Sequence, residues 1–317
     1  MIWSGHPVRV GKGSEAMETT TRQRRRVERP RVRPASPEQR LARAAANRGE
    51  PTLEFTERIP YDAYVRASTL HTLQQPLSHD PGEMSFLVVT QIMELYFGLA
   101  CFELREARKR LRAGDVWDAL APLRRAGLHL EGLNAAWRGL RWMTPADFNR
   151  FRNLLGEGSG FQSAMYRRLE FLLGLKSEPL VRPFRHQPEV HAELVEALHE
   201  PSLWDEVIAL LARCGHDIPA EVCQRDFSVT PEPSPEVTAA WVRIYADPGP
   251  DNHLRLLGEA LVEIADRFDE WRYQHLRAVR RTMGDKVGTG GSAGAAWLRR
   301  SMAREIFPEL WAARTEM

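Results

Sequence analysis

One histidine occupies the apolar stripe of a long predicted helix. Between Asp251 and Met283 the apolar positions recur alternately three and four residues apart, and they are Leu254, Leu257, Leu261, Ile264, Phe268 and Trp271. His275 is the next position of that stripe, so its imidazole is predicted to point into a helical bundle. Such a histidine is either a core residue that hydrogen-bonds a carbonyl or a ligand of a metal or heme, because neutral imidazole is the commonest ligand of this kind. The nine other histidines form no i, i+4 pair, which disfavours a zinc or di-iron site built from paired helices.

A glycine-rich loop follows that helix. Its sequence, Gly288-Thr289-Gly290-Gly291-Ser292, superficially resembles a phosphate-binding loop. No strand precedes it and no Gly-Lys-Ser/Thr follows, so the pattern does not support a nucleotide site. A mobile lid over a buried site is the preferred interpretation, and a plain linker is the alternative.

Arg152 is a second candidate for chemistry. It lies one turn after Phe148, on a helix whose start is marked by Thr144 as N-cap and Pro145 at the first helical position. An arginine that shares a helix face with aromatic residues either reaches out to solvent or presents its fork to a carboxylate. The sequence alone leaves these two alternatives open.

Composition narrows the class of protein. Of the 317 residues 43% are hydrophobic, enough for a sizeable core, and the net charge is only +2. Residues 1–40 hold ten Arg/Lys against four Asp/Glu, so the rest of the chain is mildly acidic and has no nucleic-acid footprint. Three cysteines without CxxC spacing suit a reducing cytoplasm. No run reaches eighteen apolar residues, so neither a transmembrane helix nor a membrane partner is expected.

The elements that position these residues are predicted to be helices throughout. Long helices are expected over Met84–Arg112, Asp115–Trp142 and Asp251–Met283, shorter ones between prolines over 175–250, and a last one over Ala295–Arg314 that Pro308 bends. Residues 1–50 lack apolar periodicity and are predicted to be a disordered basic leader. The fold class is therefore all-α, with one helical domain over 51–317.

The order and spacing of several short segments resemble the tryptophan 2,3-dioxygenase family over about residues 55–314. The segments are Gln74-Gln75-Pro76-Leu77-Ser78, Glu83-Met84-Ser85-Phe86, Glu94-Leu95-Tyr96-Phe97, Phe151-Arg152, Ser159-Gly160-Phe161-Gln162-Ser163, Trp271-Arg272 with His275, and Gly288-Thr289-Gly290-Gly291-Ser292. The resemblance implies an all-helical homotetramer that binds heme b and opens the indole ring of L-tryptophan with O₂, giving N-formylkynurenine.

The resemblance also implies roles for individual residues. On the cofactor side, His275 matches the axial heme ligand and Trp137 its aromatic neighbour, while Ser159 and Gly160 match a turn over the heme. On the substrate side the matching residues are Arg152 for the carboxylate, Thr289 for the ammonium and carboxylate, Phe86 for the wall of the indole pocket, and Tyr61 and Tyr64 for tyrosines lent to a neighbouring subunit.

Two positions depart from the family pattern. Thr90 stands where the family has a distal histidine that contacts the indole N–H, and Phe148 stands where it has a tyrosine near the substrate carboxylate. A threonine hydroxyl cannot act as a base near neutral pH, although it can make a hydrogen bond. A smaller distal residue leaves room beside the indole, so a substituted tryptophan, for example a methylated one, is a candidate substrate. The alternatives are mono-oxygenation to a hydroxyindoline or oxindole in natural-product biosynthesis, and a non-catalytic heme- or tryptophan-binding protein.

Overall fold

Helices account for all the regular structure in a computed structural model of the chain, which describes residues 34–56 and 58–317. The prediction of an all-α fold is confirmed. The chain separates into two compact units, one that ends at Leu73 and one that covers Gln74–Met317. The sequence placed its only boundary earlier, at residue 50.

The first unit has three helices in its described part, namely α1 (Pro37–Ala46), α2 (Pro60–Val65) and α3 (Ala67–Leu70). Helix α1 falls inside the stretch predicted to be a disordered leader, and the structure differs from that prediction there. Its local cause is a capping box, in which the Ser36 hydroxyl accepts from the Gln39 amide and the Gln39 side chain accepts from Ser36. No residue of α1 is buried. The rest of the predicted leader, residues 1–33, lies outside the described residues.

The second unit contains the long helices. In chain order its helices are α4 (Pro81–Ala113), α5 (Val116–Ala136), α6 (Pro145–Phe151), α7 (Ala164–Leu172), α8 (Pro188–His199), α9 (Leu203–Arg213), α10 (Ala220–Cys223), α11 (Pro235–Ala246), α12 (His253–Met283), α13 (Ala295–Met302) and α14 (Pro308–Glu316). Short 3₁₀ turns occupy Trp137–Leu140, Arg152–Leu155, Gly160–Gln162, Glu178–Leu180 and Arg182–Phe184. Helices α4, α5 and α12 pack together and form the centre of the core.

The predicted stripe of α12 is its buried face. Leu257, Leu261, Ile264 and Phe268 are fully buried, and Trp271 is nearly so. The helix begins where the Asn252 side chain accepts a hydrogen bond from a first-turn amide, and it ends before Gly284. The stripe therefore carries His275 to the inner side of the bundle.

Helix α4 is long and apolar enough to cross a membrane by length and composition alone, which the sequence analysis did not expect. The same helix supplies Leu104, Ala107 and Leu111 to the core, all of them fully buried. The apolar stretch that meets this criterion is only 22% buried within the single chain.

The end of the chain corrects one prediction. Instead of one bent helix over Ala295–Arg314 there are two, and Pro308 starts the second at its first position. Phe307, immediately before it, has φ +52°, a left-handed conformation that interrupts the helix. Proline is suited to the first turn because its missing N–H would have no helical partner there.

Candidate functional site

A cavity of about 1020 Å³ opens in the second unit. Its walls come from α4, from the 3₁₀ turn after α5, from α6, from the 158–163 turn and from the second half of α12. Ordinary small-molecule pockets measure about 300–1,000 Å³, so this one can take a large planar cofactor or more than one small ligand.

His275 borders this cavity. Trp137 stacks on its ring with 5.3 Å between the ring centroids and 19° between the planes, and Trp271 packs beside it at 5.4 Å. Among the described residues none hydrogen-bonds its imidazole, so the alternative of a core histidine tied to a carbonyl is not the one observed. Burial, and secondarily the charge of Arg167, lowers the pKa of His275 to about 4. The ring is therefore neutral near pH 7 and keeps a nitrogen lone pair for a ligand.

Aromatic rings line the side of the cavity formed by α4 and α6. Phe86 lies 5.8 Å from Phe148 and 5.5 Å from Phe151, centroid to centroid, and the last two meet edge to face. Phe148 and Phe151 are buried, whereas Phe86 is half-buried and faces the cavity. This apolar wall suits a flat aromatic ligand.

Thr90 lies one turn beyond Phe86 and also lines the cavity. Its hydroxyl donates to the Phe86 carbonyl oxygen at 2.8 Å. Because the only hydroxyl hydrogen is used in this bond, Thr90 can offer a ligand its oxygen lone pairs, as an acceptor, and no donor.

The glycine-rich loop lies against the turn that follows α6. Thr289 lines the cavity and donates to the Gly158 carbonyl oxygen at 2.6 Å. A Cβ on Gly290 would stand only 2.9 Å from the Ser159 Cβ, so this contact requires glycine. Ser159 and Gly160 line the same cavity, and the role over a heme that the resemblance implies for them stays a prediction.

Arg152 follows α6 directly and contacts the same loop. Its guanidinium donates to the Val287 carbonyl oxygen. It does not itself line the cavity, unlike the other candidate residues of this unit. Val287 lies two residues before Thr289, and Thr289 does line the cavity.

Three arginines at the cavity were not predicted. Arg141 comes from the turn after α5, and Arg277 and Arg281 come from α12. The sequence could have indicated Arg277 and Arg281, because they lie four residues apart on the helix that carries His275 and so share one of its faces. Together they give the apolar cavity a cationic side.

Tyr61 and Tyr64 belong to the first unit, on α2, where their side chains are 68% and 71% exposed. Their predicted role in a neighbouring subunit stays a prediction. The described residues also contain no group of three or more His, Cys, Asp or Glu that could hold a metal ion. His275 is the residue that the sequence predicts as a metal or heme ligand and that also lines the cavity.

Comparison with known proteins identifies the relatives of this chain. The family model described as tryptophan 2,3-dioxygenase matches residues 46–247 and 241–317. The tryptophan 2,3-dioxygenase of Bradyrhizobium sp. (strain BTAi1 / ATCC BAA-1182) is 42% identical over 263 residues, which are 83% of this chain and 94% of that protein. The tryptophan 2,3-dioxygenase of Burkholderia pseudomallei (strain 668) is 40% identical over 265 residues, which are 84% of this chain and 87% of that protein.

Proposed function

This chain belongs to the tryptophan 2,3-dioxygenase family, and on that premise we propose that it is a heme-dependent enzyme that oxygenates an indole ring. The substrate is L-tryptophan or a substituted tryptophan, and the second substrate is O₂. The product is of the N-formylkynurenine type, in which the bond between C2 and C3 of the indole is broken. The observation that carries the proposal is a neutral, unbonded histidine beside a large apolar cavity.

The residues at the cavity fit heme b. His275 would be the axial ligand, Trp137 would support its ring, and the apolar walls would take the porphyrin. Arg141, Arg277 and Arg281 would pair with the two propionates, since guanidinium groups bind carboxylates well. Bound heme supplies the iron that activates O₂.

The protein itself orients the amino acid. We assign the carboxylate to Arg152 and Thr289, and the indole to the wall that contains Phe86. Holding both ends of the substrate places C2 and C3 of the ring toward the cofactor, which is a positioning contribution to catalysis. Closure of the loop of Thr289 over the ligand would exclude water.

Thr90 supports a substituted tryptophan as substrate. A threonine that can only accept would take the indole N–H as donor and would leave space that a histidine fills. The same residue motivates a second candidate function, mono-oxygenation, in which one oxygen enters the indole and the other becomes water with two electrons from an external reductant.

One experiment separates these functions. The ferrous protein is mixed with L-tryptophan or a methylated tryptophan and O₂, and the product mass is read. A gain of two oxygen atoms supports ring cleavage, a gain of one supports mono-oxygenation, and no product after prolonged incubation supports a binding protein. Heme content is measured in parallel for His275→Ala, with His253→Ala, at the other end of α12, as control. An undiminished Soret band in His275→Ala contradicts the assignment of the ligand.

We further propose that the enzyme is a homotetramer. Leu95, Leu99 and Phe102 form an apolar stripe on α4 that is exposed in the single chain. Contiguous apolar surface of this kind is typical of subunit contacts. The exposed rings of Tyr61 and Tyr64 are available for the role that the family resemblance gives them, at a neighbouring subunit's substrate pocket.

A further inference from the structure

A buried ion pair lies near His275, beside a second and smaller cavity that all three residues line. Arg167 and Glu170 of α7 contact each other through guanidinium and carboxylate, and their side chains are only 3% and 5% exposed. Taking two charges out of water costs several kcal/mol for each ion unless the pair is well formed. Neither residue lines the large cavity assigned to the substrate. Both lie beside the histidine assigned as heme ligand, so an effect on that histidine is the role to consider.

The neighbours of the pair make its cation a fixed feature. The Arg167 guanidinium lies over the ring of Tyr166 at 4.7 Å and over that of Phe161 at 5.5 Å. Aromatic faces attract such a cation, most strongly where water is excluded. Arg167 therefore has little freedom to move away from Glu170.

Other charges face the same region from α12 and from the segment after α13. Arg272, three residues before His275, is bound by Asp269 at 2.6 Å and by the carbonyl oxygens of Ser301 and Arg304, each at 2.8 Å. The partly buried Arg304 adds a further cation. The negative charge of Glu170 is therefore offset mainly by Arg167 and, without direct contact, by Arg304.

A small cavity of about 30 Å³ joins the pair to the histidine. His275, Trp271, Arg167 and Glu170 are all among its lining residues. The indole N–H of Trp271 and the Nε–H groups of Arg167 and Arg272 are buried without a protein partner. A space of at least about 10–15 Å³ with several polar partners holds one water. His275 borders both this small cavity and the large one, so a relay from its ring through one water to Glu170 is available.

The electronic consequence depends on the charge of that carboxylate. A histidine ligand usually donates its second ring N–H to a carboxylate, carbonyl or water, and a stronger acceptor makes it a more basic ligand. Without Arg167, the Glu170 carboxylate would be a stronger acceptor for that N–H, would make His275 a stronger donor to iron and would stabilise the ferric form. Arg167 opposes this.

We propose that Arg167 is a positioning residue that, by offsetting the charge of Glu170, limits how strongly Glu170 accepts from His275 and so favours the ferrous form of bound heme that O₂ requires. This inference rests on the proposed function, because it takes His275 as the heme ligand. Arg167 touches neither the substrate nor the reacting atoms.

The test compares Arg167→Gln, Glu170→Gln and the double variant as heme-loaded proteins. We measure the reduction potential, and the iron–histidine stretching frequency of the ferrous form by resonance Raman spectroscopy. Arg167→Gln should shift the ferric–ferrous equilibrium toward ferric by about tenfold or more, the size expected for one charge several ångströms away at an effective dielectric constant of about 20. Its stretching frequency should rise. The double variant should return both quantities toward the parent, because it removes both charges.

Controls keep a structural effect apart from an electrostatic one. Arg225→Gln breaks another buried pair, with Asp205, and should destabilise folding without moving either quantity. If Arg167→Gln does not fold, Arg167→Lys, which keeps the charge, should match the parent, while Glu170→Gln should shift the equilibrium toward ferrous. Unchanged potentials in all the Arg167 and Glu170 variants overturn the inference alone. A parent that binds no heme through His275 overturns the proposed function and the inference with it.

Discussion

At the residue scale, the two side chains assigned to the amino-acid end of the substrate already donate hydrogen bonds to backbone carbonyl oxygens. Arg152 donates to the Val287 carbonyl oxygen, and Thr289 donates to the Gly158 carbonyl oxygen. A substrate carboxylate can replace these carbonyls, because charge-assisted hydrogen bonds are roughly twice as strong as neutral ones. The exchange would transfer both donors from the protein to the substrate without leaving either unsatisfied.

Arg152→Lys should lower kcat/KM for L-tryptophan by about a hundredfold or more, because truncating one partner of a buried charge pair costs about 2–5 kcal/mol and lysine lacks the bidentate fork. Arg150→Lys is the matched control, since Arg150 lies two residues earlier, in α6, and its partners are Asp80 and Asp147. Steady-state kinetics measure both. A near-parental kcat/KM for Arg152→Lys, or equal use of tryptamine by the parent, contradicts the role.

Thr90→His should move substrate preference toward plain L-tryptophan. The parent is expected to use a ring- or side-chain-methylated tryptophan at least as well, because Thr90 is small and its hydroxyl hydrogen is already committed. The measurement is kcat/KM for tryptophan and its methylated analogues, side by side. Thr282→His is the control, since Thr282 also lines the cavity and makes the same kind of bond to a carbonyl four residues earlier. A tenfold preference of the parent for plain tryptophan would leave the relaxed pocket without support.

At the element scale, the sequence predicts best where the cause is local. The apolar stripe of α12 and the Thr144–Pro145 start of α6 are both observed, because periodicity and capping act within a few residues. Helix α1 had an equally local signal, the capping box at Ser36, which the leader interpretation overrode. The break between α13 and α14 has a distant component, since Arg272 binds the carbonyl oxygens of Ser301, at the end of α13, and of Arg304 after it.

The candidate site shows the same difference between features with local causes and features that depend on tertiary packing. His275 could be predicted from its stripe, but the contact of Arg152 with Val287 joins residues 135 positions apart. Loop conformation and tertiary packing decide such a contact, and neither is readable from spacing. The Arg167–Glu170 pair is local, but its nearness to His275 depends on how α7 packs.

The first turn of α4 shows how an element fixes a cavity wall. Glu83 is buried, and its carboxylate accepts from the Leu77 amide at 2.6 Å and from the Ser78 amide at 2.7 Å. Leu77 lines the cavity. Burial by itself would raise the pKa of Glu83, but the hydrogen bonds from Ser78 and Leu77 outweigh it, and the pKa is lowered.

Glu83→Gln should therefore lower the free energy of unfolding by about 1–3 kcal/mol, because an amide NH₂ faces backbone donors that lose their acceptor. Because the pKa of Glu83 is lowered in the folded state, its carboxylate stabilises the fold at pH values above the ordinary pKa of about 4.5. This stabilisation is lost as the pH falls through the pKa of the folded state. Urea unfolding at several pH values, from neutral pH to well below 4.5, should show a smaller loss of unfolding free energy for Glu83→Gln than for the parent. Glu106→Gln, further along α4, is the control, and equal pH dependence in parent and Glu83→Gln would refute the assignment.

At the scale of the whole molecule, α4 has two apolar sides with different partners. One side is the centre of the core, with Leu104 and Leu111 fully buried. The other bears Leu95 and Phe102, which are 62% and 59% exposed. Burying an exposed leucine or phenylalanine side chain stabilises a protein or a complex by about 1.5–3 kcal/mol. A subunit contact accounts for this second side, and also for the high hydropathy of the helix.

Leu99→Glu combined with Phe102→Glu should break the assembly, because each charge would have to be buried unpaired at the contact. Size-exclusion chromatography with light scattering should show the parent as a tetramer of the 36.2 kDa chain and the variant as a smaller species. Val229→Glu, a charge at an exposed apolar position on a loop, is the control and should remain tetrameric.

If the resemblance assigns Tyr61 and Tyr64 correctly, the smaller species should retain heme, since His275 and the cavity belong to one chain, but should lose most of its activity. A parent that is an active monomer contradicts both the tetramer and the shared pocket, whereas a smaller variant with full activity contradicts the shared pocket alone.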